Sequence, residues 1–249
     1  MNPPHERHIR LSGAFNVRDL GGYASTAGGT TRWRSLLRAD ALHQLSPEDI
    51  DTLLGLGLRT VIDLRSDAEI ARQPSSFADH VSVRYHHIPL FDGLAPADAM
   101  IAASGEFDLS ARYVDAADRC RPAISKVAAT IALAEEGAVL FNCTAGKDRT
   151  GIVAAMLLSL AGVSSDEIAA DYSLTQTLAA GLMERLKALA IQRGLAEAAA
   201  ARLLSSEPAT MLALLQHVSD RHGGFRNYLA FEQPDRDYIS LIEGRILAQ

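Results

Sequence analysis

The residues AVLFNCTAGKDRTG, Ala138 to Gly151, lead directly into IVAAMLLSLAG, Ile152 to Gly162, and this stretch decides the fold. A short apolar run, a tight polar loop and a helical apolar run predict a buried strand that passes through a loop into the first turn of a helix. Such a loop points successive backbone N–H groups into one concavity, and a concavity of that kind binds a tetrahedral anion. Thr144, Ala145, Gly146, Lys147, Asp148 and Arg149 are the residues expected to line it. Gly146 admits backbone angles that a Cβ resists, and Ala145 leaves space. The Arg149 guanidinium offers a planar fork to two phosphate oxygens. Cys143 sits where the same donors and the helix dipole favour a thiolate, which makes its sulfur a nucleophile.

A cysteine six residues before an arginine is a weak signal alone. The full string in register between strand and helix is a specific one. CTAGKDRTG resembles the signature of the cysteine-dependent protein tyrosine phosphatase superfamily, in particular its bacterial branch of atypical tyrosine and dual- or triple-specificity phosphatases with a GKDRTG loop. FNVRDLGGY, Phe15 to Tyr23, and TVIDLRSDAE, Thr60 to Glu69, resemble the same branch; the C-terminal third matches only loosely. The family usually has His before the nucleophile, and this chain has Asn142. An Asn amide still donates hydrogen bonds, so the expectation is retained activity with a less activated thiol.

The resemblance implies a two-step hydrolysis through a phosphocysteine, with phosphotyrosine, phosphoserine or phosphothreonine, or phosphoinositide as substrate. A carboxylic acid must then protonate the leaving oxygen. Asp148, inside the loop, holds that role in the resembling phosphatases and ranks first; Asp92, in a loop after the strand VRYHHIPL, ranks second. Lys147 would add positive charge at the cavity rim for substrates with more than one phosphate. The Thr150 hydroxyl would bond the Cys143 sulfur, as the equivalent hydroxyl does in the resembling family. Arg18, Asp19, Asp63 and Arg65 would form an ion-pair network supporting the loop. No metal or other cofactor is expected, because Arg149 and the N–H groups stabilise the developing charge; His86 and His87 have no convergent ligand spacing. The alternative is a pseudophosphatase that binds phosphorylated partners without turnover. A rhodanese-like sulfur carrier has less use for GKDRTG.

Composition sets outer bounds. With 249 residues, 48% hydrophobic, the chain can bury a substantial core. A net charge of −6 and a pI near 5.7 argue against a nucleic-acid partner. No apolar stretch is long enough for a membrane span. The start, MNPPHERHIRL, lacks the apolar region of a Sec signal. Two cysteines suggest a reducing compartment without structural disulfides. The expected location is therefore cytoplasmic, with export as an effector the alternative.

TRWRSLLRAD, LRTVIDLR, VSVRYHHIPL and AVLFNC read as strands. SPEDIDTLLGLG reads as a helix with Ser46 as N-cap and Pro47 at its first position. Tyr113 to Glu136 reads as one long helix carrying the chain back to the catalytic strand. Alternation predicts an α/β fold with a central, mostly parallel sheet flanked by helices. Residues 1–165 form the expected α/β core, and 166–249 a helical extension or lid packed on it. Asp92 to Ser110 reads as a mobile cover. Leu178, Leu182, Met183, Leu186 and Leu189 form a stripe expected to pack in the core.

Overall fold

A computed structural model of the protein describes residues 6–92, 94, 108–230 and 237–248. Five strands form one sheet: β1 (Arg18–Asp19), β2 (Leu36–Ala39), β3 (Leu58–Asp63), β4 (Arg84–His87) and β5 (Ala138–Asn142), in the order β1-β2-β5-β3-β4. β5 runs parallel to both β2 and β3, with Asn142 opposite Ala39 on one side and Asp63 on the other. All five residues of β5 are buried, as a strand with neighbours on both edges and helices on both faces must be. Only β1 is antiparallel. It is two residues long, too short to carry an alternating pattern that sequence alone reveals.

The pleat sends alternate side chains of β5 into two cores. Ala138 and Leu140 pack with Leu37, Leu58, Val61 and Phe77, beneath helix α1 (Pro47–Gly55). Val139, Phe141 and Cys143 face the larger core. That core also takes in α3 (Leu109–Arg119), α4 (Arg121–Leu133), α5 (Asp148–Leu160) and α6 (Ser165–Leu178). Helix α2 (Asp67–Arg72) follows β3. α1 starts as read: Ser46 accepts the Asp49 N–H at 3.2 Å, Asp49 accepts the Ser46 N–H at 3.1 Å, and Pro47 occupies the first turn. α5 is apolar nearly all round and buried along its length, so it runs through the interior.

The long helix expected over Tyr113 to Glu136 is two helices, α3 and α4, meeting at Cys120. Pro122 explains the break: it lacks the N–H a continuous helix needs, and its ring crowds the preceding turn. Cys120 is buried at that junction and, like Cys143, is not in a disulfide among the described residues.

The C-terminal helices are α7 (Ala180–Gln192), α8 (Glu197–Leu204), α9 (Pro208–His222), α10 (Phe225–Tyr228) and α11 (Tyr238–Ile246). Met211, Leu214, Phe225, Tyr228, Ile239 and Ile242 share the larger core with the sheet. Residues 246–248 also bond to the segment that precedes β2, because Arg32 N–H donates to Ile246 O and Ala248 N–H to Thr30 O. α7 contributes no buried residue to that core, whereas Leu203 of α8 packs against it. Met183, with Leu182 and Leu186, covers Ala145 of the loop beside Phe15 and Leu204. The expected stripe is interrupted at Ala179, where α6 ends, and Leu189 is 39% exposed. The segment expected to form a mobile cover lies, at 93 and 95–107, outside the described residues.

Candidate active site

Cys143 directly follows β5 and is 2% exposed. Gly146, three residues on, has φ +64°. A Cβ there would also lie 2.7 Å from the backbone of Ala39 and Asp40, so the loop is pressed against the end of β2. Three loop carbonyls point outward. Thr144 O accepts the Ala41 N–H at 3.3 Å, Ala145 O accepts Asn16 Nδ2 at 2.9 Å, and Gly146 O accepts Arg38 Nη2 at 2.8 Å. In a planar trans peptide the C=O and the next N–H point in opposite directions. Anchoring these carbonyls outside therefore turns the N–H groups of Ala145, Gly146 and Lys147 inward. Among the described residues those three N–H groups find no acceptor. The positive end of α5 adds to the concavity.

The anchors are themselves held by a buried charge cluster. Asp171 on α6 accepts Arg18 Nε at 3.0 Å, the Tyr23 hydroxyl at 2.9 Å and Arg38 Nη1. Burial alone would raise the Asp171 carboxyl, but Arg18 and Arg38 outweigh it and hold it well below the usual carboxylate range. Burial, and then the like charge of Arg38, pull Arg18 down to about 10. Asp40 accepts the Phe15 and Asn16 N–H groups, which fixes the Asn16 side chain on the loop; burial pushes its carboxyl up against these bonds.

The four-residue network expected from sequence divides into separate units. Asp63 and Arg65 pair at 2.6 Å at the end of β3, where Tyr85 also donates to Asp63 at 3.0 Å. Arg18 pairs with Asp171. Asp19 accepts the N–H groups of Gly21 and Arg34, both at 2.8 Å.

Arg149 lies on the first turn of α5 and is met by a residue that the sequence reading did not single out. Glu69 on α2 accepts Arg149 Nη1 at 2.6 Å and Nη2 at 2.8 Å, and the Thr144 hydroxyl donates to the same carboxylate. Glu69 also accepts the Ser66 N–H at 2.8 Å, closing a capping box at the start of α2. Burial opposes ionisation of Glu69, but Arg149 and Thr144 hold it well below the usual carboxylate range; Arg149 is raised reciprocally. The pattern S-x-x-E in SDAE signals the cap, while only the fold brings it to Arg149. A guanidinium has five N–H donors; Nη1 also reaches Leu64 O at 3.5 Å and Nη2 the Thr144 hydroxyl at 3.3 Å, which leaves the Nε donor without a bond among the described residues.

Asp148 accepts the Tyr113 hydroxyl at 2.9 Å, and Tyr113 in turn meets the Tyr172 hydroxyl at 3.1 Å. Lys147 does not lie at a solvated rim. It is fully buried, donates to Leu203 O at 2.6 Å and Ser205 O at 2.9 Å, and approaches Asp148 at 3.3 Å. The carbonyls at the end of α8 draw the ammonium inward, as helix C-termini attract cations. Asp92 is exposed in a turn. The preceding Phe91 ring lies 5.8 Å from the Arg149 guanidinium carbon, so the chain segment bearing Asp92 starts beside the loop. The Thr150 hydroxyl is buried without a hydrogen-bond partner among the described residues, and both amide atoms of Asn142 are in the same position. Among the described residues no group of three or more His, Cys, Asp or Glu is placed to hold a metal ion. No helix among them is long and apolar enough to cross a membrane.

Fold and site together define an α/β protein with a cysteine and an arginine framing an anion-binding loop between a central strand and a helix. The sequence pattern of the tyrosine phosphatase family matches residues 9–247, and the chain belongs to that family of hydrolases. It is 32% identical over 224 residues to a Cupriavidus necator protein named as a candidate tyrosine-protein phosphatase, covering 86% of this chain and 80% of that one. It is 33% identical over 214 residues to the triple specificity protein phosphatase PtpB of Mycobacterium tuberculosis, covering 74% of each. A tyrosine-protein phosphatase of Nostoc commune is 38% identical over 142 residues; that match covers 57% of this chain and spans about half, 48%, of the Nostoc protein.

Proposed function

We propose that the protein hydrolyses phosphomonoesters, phosphotyrosine foremost, through a phosphocysteine on Cys143. The single observation that carries this is the outward anchoring of three successive loop carbonyls, which turns the intervening N–H groups toward one anion beside Cys143 and Arg149. Phosphate seated there lies in line for attack by the sulfur. The S–P bond forms as the ester P–O bond breaks, and the leaving oxygen takes a proton from Asp148. Water then attacks phosphorus with Asp148 as base, releasing phosphate and the thiolate. Arg149 and the N–H groups stabilise the equatorial oxygens throughout. The Tyr113 hydroxyl holds Asp148 in place. Phosphoserine, phosphothreonine and phosphoinositide are further substrates to test; the burial of Lys147 removes the rim charge that favoured multiply phosphorylated ones.

The second reading, a binding module for phosphorylated partners, is supported by the Asn142 amide directly before the nucleophile, which has no partner among the described residues. Hydrolysis of p-nitrophenyl phosphate by wild type and Cys143→Ser, in EDTA, separates the two. Turnover that disappears in Cys143→Ser supports the enzyme. Absence of Cys143-dependent turnover with retained phosphopeptide binding overturns it in favour of the module.

A further inference from the structure

We propose a second anion site at the opposite end of the sheet, shaped for a soluble phosphomonoester of nucleotide size and formed by Arg32, Arg34 and Arg245. Ser35 and Gly137, which immediately precede β2 and β5, lie in its wall. The catalytic loop leaves the other end of β5, five residues and about 15 Å away at the usual rise of a strand. The two sites are therefore distinct.

The cavity measures about 540 Å³, and its other walls include Leu241 and Glu136. That volume falls in the range of small-molecule sites and far exceeds one phosphate ion. Three arginines, of which Arg32 and Arg34 are exposed, and one acidic residue, Glu136, line it, on a chain whose net charge is −6. Arg245 donates to Gly137 O at 2.9 Å, Ala134 O at 2.5 Å and Glu135 O at 3.1 Å. Arg32 donates to Leu247 O at 3.0 Å. Carbonyls orient these forks without cancelling their charge, and the proximity of Arg32, after burial, depresses the Arg245 guanidinium.

Tying the C-terminal helix to the sheet accounts for Arg32 and Arg245 but not for Arg34. Its side chain makes no hydrogen bond or ion pair among the described residues. Its backbone occupies the left-handed region, φ +58°, a costly place for a residue with a Cβ. Asp19, accepting the Arg34 N–H at 2.8 Å, holds it there. A strained residue fixed so that a guanidinium without a partner among the described residues joins two preoriented ones is an arrangement for a dianion. The apolar wall formed by Ala132, Ala134 and Leu241 suits the ring of a nucleoside.

Trp33 is the only tryptophan and adjoins Arg34, so its emission reports on this site. Arg149→Met, which silences the loop, is titrated with AMP, inorganic phosphate and adenosine. The expected result is saturable binding of one AMP, no response to adenosine, and affinity reduced about tenfold or more when Arg34→Glu is added. Calorimetry on Cys143→Ser, which keeps Arg149 and the loop N–H groups but lacks the nucleophile, gives a second measurement: it binds two equivalents of AMP, and Cys143→Ser with Arg34→Glu added binds one. The proposal is overturned if AMP fails to bind Arg149→Met at about 10 mM, if phosphate binds and AMP does not, or if Arg34→Glu leaves affinity and stoichiometry unchanged.

Discussion

Replacing Glu69 by Gln tests whether the carboxylate beside Arg149 holds the site together. Two charge-assisted hydrogen bonds, at 2.6 and 2.8 Å, join the side chains, which are 26% and 15% exposed. Bonds to charged groups contribute about 1.5–3 kcal/mol each, and partial exposure discounts the pair toward the lower values of surface ion pairs. Gln can retain one of the two as a neutral acceptor. The loss is then about 2 kcal/mol, or about 4–8 °C in Tm for a chain of this length. The pH dependence gives the sign. The folded carboxyl is held below its unfolded value of about 4.3, so its stabilisation is complete above that pH and fades as pH falls through the folded pKa. Differential scanning calorimetry of wild type and Glu69→Gln at pH 7 and pH 3.5 is the assay. The difference in Tm should be largest at pH 7 and shrink at pH 3.5. A difference below about 2 °C at pH 7, or one that does not change with pH, refutes the reasoning.

Other perturbations address the loop and its supports. Gly146→Ala imposes about 1–2 kcal/mol of left-handed backbone strain besides the contact with Ala39; phosphate affinity, measured by calorimetry, should fall about tenfold or more. Asp171→Asn leaves Arg18 and Arg38 buried without their counter-charge and should cost about 3–5 kcal/mol in denaturant unfolding; a loss below about 1 kcal/mol would show the cluster relaxing without it. Tyr113→Phe removes the hydroxyl on Asp148 at a stability cost of about 1 kcal/mol. Turnover of aryl phosphates with poor leaving groups should fall more than that of good ones; an equal fall for all would separate Tyr113 from proton transfer.

The strands β2 to β5 and helix α1 were legible because their signals are local: aliphatic runs of strand length, and a Ser-Pro start with acidic residues in the first turn. Pro122 was equally local, and the helix break it causes was available from the same rules. The partners of the loop were not legible. Glu69 lies 80 residues from Arg149, Asn16 lies 129 from Ala145, and Asp171 lies 133 from Arg38. No periodicity links such positions, because each pairing depends on which strand ends the sheet order brings together.

The sequence alone determined the strand–loop–helix carrying Cys143 and Arg149 and the α/β alternation around it, since backbone propensity and short spacing suffice for both. Tertiary structure alone decided which charges face the loop. Lys147 shows why: as a sequence letter it is a cation beside a phosphate site, but helix α8 packs close enough to offer it two carbonyls. A buried ammonium must take the acceptors that packing provides.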